Sequence, residues 1–267
     1  MSMLLHTVGF CGVDDSVDLQ ELVQLDAEYP GWIEWGVLLR PDRQGQPRYA
    51  GPEVLKKLGC LARGEGGRDT LRLACHLCGD DCRRVIRGDV DRVRHLHGLL
   101  GFGRLQLNPT KANDPGGWEP AAAAEGVRAV ATALPEVEFI LQLNEETQAL
   151  FERLFHDPSC PAPTNLVVLL DASCGLGKVP DAWARPPEGV RCGFAGGLGP
   201  DTVLAQLDAI AAACKDSGSS GSDMPQSVWI DMESGIRSQE SDRGDIFDLE
   251  RVRKVVKLIR GSGFLKG

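Results

Sequence analysis

Cys11, in GFCGVDD, and Asp171, in LLDASCGLGK, each stand where an apolar run gives way to a turn. A thiol whose surroundings lower its pKa from about 8.5 supplies a thiolate that accepts protons. A carboxyl that ends a buried apolar run is kept protonated by desolvation and can donate. The pair suits proton transfer, with Cys11 as general base and Asp171 as general acid. Arg48, in QPRYAGPEVLKKL, precedes a helix whose cap region is GPE, where a guanidinium can grip a carboxylate in fork geometry. GFAGGLGPDTVLAQL places Gly196 and Gly197 where a strand hands over to a helix expected from about Pro200. Amides without a Cβ in the way can approach an anion, and the helix N-terminus points at the same spot. Ser234 and Gly235, in DMESGIR, would add a second donor set, and Glu233 beside them needs an offsetting cation, for which Arg237 is the candidate. Each residue also has a plainer explanation: a small buried hydrophobe for Cys11, a cap for Asp171, a solvated loop residue for Arg48, and a tight turn with close helix packing for the glycine pair.

The elements that must position these residues repeat along the chain. Eight short apolar runs, LLHTVGFC, WIEWGVLL, TLRLACHL, GRLQLN, EFILQLN, NLVVLLD, VRCGFAG and SVWIDM, are followed by turn-rich patches. Between them lie helical patterns such as SVDLQELVQLDAEY, AAAAEGVRAVATAL, TVLAQLDAIAAAC and LERVRKVVKLIR. Strands alternating with helices imply parallel strands joined by crossovers, and eight such units close a barrel. The expectation is one (β/α)8 TIM barrel domain over residues 1–267, with loop insertions near 109–120, 156–165 and 215–225. The segment DDCRRVIRGDVDRVRHLHGLL is a less regular helical stretch, interrupted by glycine. Such barrels build their sites at the C-terminal ends of the strands, which is where Cys11, Asn108, Asn144, Asp171, the glycine pair and residues 231–235 fall.

With 29 Lys and Arg against 38 Asp and Glu, the net charge of -9 argues against a nucleic-acid backbone or an anionic membrane as partner, so any phosphate must be captured locally. MSMLLHTVGF has no basic leader, and no run reaches the roughly 20 apolar residues of a membrane span. Nine scattered cysteines suit thiols in a reducing compartment, so the expected location is the cytoplasm and the expected partner a small phosphorylated substrate, on a monomer or homodimer. CHLCGDDC carries a C-x-x-C spacing, but no second pair follows, and Cys75 and Cys78 would lie on opposite faces of a strand, so no metal is expected. GLGK at 175–178 lacks the spacing of a nucleotide loop. The acidic stretches DDSVD and ESDRGD read as solvated loop edges, and the five tryptophans as packing.

Taken in order, Cys11, Arg48, Asp171, Gly196-Gly197 and Ser234-Gly235 resemble the phosphoribosylanthranilate isomerase family of tryptophan biosynthesis, in the motifs GFCGVDDSVD, PRYAGPE, LLDASCGLGKVPDAW, AGGLGPDTV and DMESGIR. The resemblance implies an Amadori rearrangement without metal or organic cofactor. Cys11 would be the base, Asp171 the acid, Arg48 the clamp on the anthranilate carboxylate, and the Gly196, Gly197, Ser234 and Gly235 backbones the phosphate site. Gly9 stands where the family has lysine, Asn108-Pro109 where it has His-Gly, and Glu233 where it has serine. These departures leave two alternatives open: another phosphosugar enzyme on the same barrel, or a phosphate-ligand-binding homologue without catalysis.

Overall fold

The computed structural model describes residues 3–64, 71–113, 116–171, 173, 177–215 and 226–265. Eight parallel strands close a barrel in sequence order: β1 (Met3–Cys11), β2 (Ile33–Leu39), β3 (Leu73–Leu77), β4 (Arg104–Leu107), β5 (Glu138–Leu143), β6 (Leu166–Asp171), β7 (Cys192–Ala195) and β8 (Gln226–Met232). Each falls on one of the apolar runs of the sequence. The helices are α1 (Leu19–Glu28), α2 (Pro52–Ala62), α3 (Gly79–Ile86), α4 (Val90–Leu100), α5 (Pro120–Ala133), α6 (Gln148–Phe155), α7 (Val203–Lys215) and α8 (Leu249–Ser262). α8 shows why these segments are helical. LERVRKVVKLIRGS buries Val252, Val255, Val256 and Ile259 along one face, the Asp248 side chain caps the Glu250 and Arg251 amides, and Gly263 ends the helix at φ 79°.

Three local features differ from the sequence expectation. The irregular stretch between β3 and β4 is two helices, α3 and α4, separated at Gly88, whose φ of 88° suits a residue without a Cβ. No helix lies between β6 and β7 among the described residues. The segment after β8 folds into a 3-10 turn, Ser234–Ile236, and an antiparallel hairpin, β9 (Arg237–Glu240) and β10 (Gly244–Phe247), where a solvated loop was expected. The insertion expected at 215–225 lies, beyond Lys215, outside the described residues, as do the first two residues of GLGK at 175–178. Residues 109–113, 116–119 and 156–165 are loop.

Strand alternation sorts side chains into two layers. Outward residues such as Phe10, Trp35, Phe139 and Phe194 are fully buried under the helices, each contributing about 1.5–3 kcal/mol relative to exposure. Inward residues share register around the barrel: Gly9 with Asp231, Cys11 with Gly36, Leu38 with His76, and Gly193 with Trp229. The barrel interior is unusually polar for this architecture. Its floor holds Trp229 with Ile140, Val167 and Leu169. The Trp229 ring lies where a Cβ on Gly193 would be, so that glycine makes room for it. Over the ring sits Arg104, 4.2 Å from the centroid, bonded to Glu34 at 2.8 Å and Glu138 at 2.9 Å. No helix among the described residues is long and apolar enough to cross a membrane.

Candidate functional site

Above this floor the C-terminal mouth opens into a cavity of about 650 Å3, a volume that includes solvent at its open end, walled by residues from all eight strands. Cys11, Asp171 and the Gly196, Gly197, Ser234 and Gly235 backbones all line it. The thiol and the carboxyl, 160 positions apart in the chain, thus meet in one space because β1 and β6 both end at the same rim. Arg48 is not part of this lining.

Cys11 is the last residue of β1 and is 1% exposed. Its neighbour across the sheet, Gly36, is required there: a Cβ would lie 2.8 Å from the Cys11 Cα and 3.1 Å from Sγ. The bare position lets Cys11 Sγ reach across β2 to His76 Nδ1, 3.4 Å away on β3. The sequence reading asks for a thiol made more acidic, and the site does the reverse. Burial pushes the Cys11 pKa well up, and the charges of Asp231 and Glu233 add to it. Burial also lowers His76 to about 3, with Arg104 contributing, so the imidazole is neutral beside the thiol.

Asp171 is buried, as expected of a carboxyl ending an apolar strand. Its Oδ2 accepts from Gln142 Nε2 at 2.7 Å, and its Oδ1 accepts from the Ser173 amide at 3.1 Å and hydroxyl at 2.6 Å. A third acid belongs to the same wall. Asp231, inward on β8, faces the cavity, and removal from bulk water pushes its pKa well up, with Glu34, Glu233 and Asp171 adding to the rise and Arg104 offsetting part. The space it occupies is made by Gly9, whose Cβ would come within 2.5 Å of Asp231 Oδ1.

The glycine pair does two jobs at once. Gly196 and Gly197 have φ of 134° and 60°, conformations that a Cβ disfavours. The chain packs directly on them: a Cβ on Gly197 would overlap the Val179 backbone, and one on Gly235 would overlap the Leu198 carbonyl. Close packing therefore explains these glycines as well as their place in the cavity wall. The helix expected from Pro200 begins at Val203, after a turn in which the Thr202 and Val203 amides bond the Gly199 carbonyl.

Arg48 is committed to its own chain. Its Nη1 bonds Glu233 Oε1 at 2.6 Å and its Nε bonds Asp245 Oδ2 at 2.9 Å. Its backbone is held at φ 77° by an amide bond of 2.6 Å to Asp14 Oδ2. The cation that offsets Glu233 is thus Arg48, not Arg237. Arg237 is 2% exposed at its side chain and bonds Asp14 at 2.6 Å and Asp245 at 2.7 Å. DDSVD and ESDRGD, expected as solvated edges, supply Asp14 and Asp245 to this buried ion network.

Beyond the expected residues, the cavity wall includes His76, Gln106 and Gln142, and of the other strand-end residues named from the sequence it takes in Asn108 and Asp231. Inward phase was available in the sequence for His76 and Asp231, since each falls on the same side of its strand as the residues expected at the rim. The eight cysteines among the described residues are all free; Cys75 lies in β3 in the main core cluster, while Cys78 follows the strand as the residue that precedes α3, in a separate apolar cluster.

No protein-family model and no curated protein matches this sequence. Among solved structures, the chain is similar to phosphoribosyl anthranilate isomerase from Thermococcus kodakaraensis, at 14% identity over 95% of this chain and 98% of that one, with a TM-score of 0.49. It is also similar to a D-psicose 3-epimerase solved in the presence of D-fructose, at 11% identity over 96% and 99% of the two chains, with a TM-score of 0.55. At these identities what is shared is the fold, a (β/α)8 TIM barrel.

Proposed function

We propose that this barrel is an isomerase of a phosphorylated sugar derivative that works by moving protons between Cys11 and Asp171. The observation that carries the reading is their convergence: side chains from β1 and β6 face one cavity whose wall is completed by the Gly196, Gly197, Ser234 and Gly235 backbones. In the reaction, Asp171 protonates the ring oxygen so that the sugar opens, and Cys11 removes the proton from the adjacent carbon, converting aldose to ketose. For Cys11 to act as base its thiol proton must first leave to the solvent of the open cavity, since His76 Nδ1, 3.4 Å away, belongs to an imidazole whose pKa is lowered to about 3. The amides of the two loops hold the phosphate.

Arg48 favours a particular substrate range. Its guanidinium is already bonded to Glu233 and Asp245, so an aryl carboxylate meets no uncommitted cation there. Another sugar phosphate therefore fits the site better than phosphoribosylanthranilate. The test is turnover by purified protein of phosphoribosylanthranilate and of a panel of aldose and ketose phosphates. Cys11→Ala and Asp171→Asn should each lower kcat by about 100-fold or more, the usual contribution of a general acid or base. A folded protein that turns over none of these overturns the reading. Stabilisation by the sugar phosphates without turnover would instead identify a binding protein on the same barrel.

A further inference from the structure

Cys11, His76 and Asp231 come from three different strands, and their ligand atoms all lie within 4.8 Å of one another. We propose that they form a binding site for a divalent cation of the zinc class, with the fourth coordination position open to the cavity. This inference does not rest on the isomerase reading, since it concerns binding and not turnover.

The geometry is close to what the ion requires. Zinc bonds of about 2.3 Å to sulfur and about 2.0–2.1 Å to nitrogen, at a tetrahedral angle, set the two ligand atoms about 3.5 Å apart. Cys11 Sγ and His76 Nδ1 are 3.4 Å apart. Asp231, whose carboxylate oxygen lies within 4.8 Å of both, completes the set by closing at most about 1 Å. Two glycines make room for the cluster: Gly36 for the thiol and Gly9 for the Asp231 carboxylate. A thiolate, an imidazole and a carboxylate are donors that suit zinc, and three protein ligands with one open position is the pattern of reactive rather than purely structural zinc sites. The surroundings are acidic as well, with Asp171 and Glu233 in the same wall, so a cation offsets charge that the fold concentrates there. On binding, the thiol proton leaves to solvent and the sulfur becomes a ligand. An occupied site therefore removes Cys11 from base duty. The C-x-x-C spacing plays no part, because Cys75 lies in the outer layer.

The test is titration of the purified full chain with Zn2+, followed by zinc K-edge spectroscopy of the loaded protein. One ion per chain with a single sulfur and otherwise nitrogen or oxygen neighbours is expected. Two or more sulfurs would place the ion elsewhere and overturn the assignment, as would no binding. Cys11→Ser, His76→Leu and Asp231→Asn should each weaken binding by about 100-fold or more, while Cys78→Ser leaves it unchanged. Gly9→Ala, which retains all three ligands and displaces the Asp231 oxygen, should weaken it by about 10-fold; equal affinity in that variant and in Asp231→Asn would refute the proposed ligand set. Zinc binding without sugar-phosphate turnover would leave this site standing and remove only the isomerase reading.

Discussion

Replacing Arg104 by leucine tests how the barrel floor is held. Arg104 is 7% exposed and sits between Glu34, itself 5% exposed, and Glu138, with its guanidinium over the Trp229 ring. Leucine fills much of the volume but leaves the carboxylates. Glu138 keeps a second partner, since Arg191 Nη1 lies 2.5 Å from its Oε2. Glu34 does not: among the described residues its ion-pair partner is Arg104 alone, at 2.8 Å. Two unit charges about 4 Å apart at an effective dielectric near 20 attract by about 4 kcal/mol, and breaking a buried pair by removing one member costs about 3–5 kcal/mol because the other is left uncompensated. Loss of the ring contact adds about 1 kcal/mol. The expected destabilisation is about 4–6 kcal/mol, read in urea as a lower midpoint with an unchanged slope. Arg104→Leu with Glu34→Gln should recover most of it, because the orphaned charge is gone. A loss below about 1 kcal/mol in the single variant, or a double variant no more stable than the single one, refutes the idea that Glu34 needs its counter-ion.

Three further predictions follow from the same geometry. Gly193→Ala forces a methyl into the Trp229 ring, which Arg104 pins from above, so overpacking should cost about 1–3 kcal/mol in urea; a change within about 0.5 kcal/mol would mean that the ring moves freely. At Arg48, where φ is 77°, Arg48→Gly should be more stable than Arg48→Ala by about 1 kcal/mol, the reverse of the order expected at an ordinary position, and the usual order in thermal melts would show that the backbone relaxes. Burial, helped by Arg104, lowers His6 to about 4, so the folded state resists a proton that the unfolded state accepts near 6.5. Stability should be unaffected above pH 6.5, fall as pH drops from about 6.5 to about 4, and then level. The full shift would be worth about 3 kcal/mol, discounted to about 1–2 because the ring is partly exposed, and His6→Asn should flatten that part of the urea-midpoint profile.

The eight strands were legible because each is a short apolar run closed by turn residues, and the ends of those runs located Cys11 and Asp171 at one rim before any contact was known. What was not legible depended on partners distant in sequence. The role of Arg48 is decided by Glu233 and Asp245, nearly 200 positions away, and DDSVD looks like a wet loop until Arg237 is brought onto Asp14. The place of His76 in the cavity wall is hidden for a different reason, although its phase along the third run is readable. Strands buried on both faces read as continuous apolar runs, so an inward polar residue in mid-strand carries no alternation signal to expose it. The acidity of Cys11 could not be read either, because the local motif is silent on the burial and the neighbouring carboxylates that set it. Hairpin β9–β10 went unread although its signal was present: SDRG between two short runs is a turn with glycine at its end.

The interior of the barrel is polar at both levels, yet the two levels differ in a way that separates support from chemistry. On the floor, Glu34 and Glu138 are matched by Arg104 and Arg191, and the Arg104 guanidinium, whose Nη2 has no hydrogen-bond partner among the described residues, lies over the Trp229 ring. At the mouth, Gln142 Nε2 is tied to Asp171, and that bond fixes the amide so that its Oε1 is left buried without a partner among the described residues. An unsatisfied buried acceptor costs about 1–3 kcal/mol, an expense that a purely structural wall would avoid by carrying an apolar side chain instead. A hydroxyl donated to Gln142 Oε1 recovers that cost and arrives beside Asp171. The same atom is of no use to a phosphate, which has only acceptors to offer at neutral pH. Gln142 therefore speaks for the hydroxyl-bearing part of a ligand, and Gln142→Leu should bind sugar phosphates more weakly. The same variant withdraws the Nε2 donor from Asp171 Oδ2, so one orphaned acceptor is removed and another created, and its stability in urea should stay within about 1–3 kcal/mol of wild type. Unchanged sugar-phosphate binding refutes this distinction between floor and mouth.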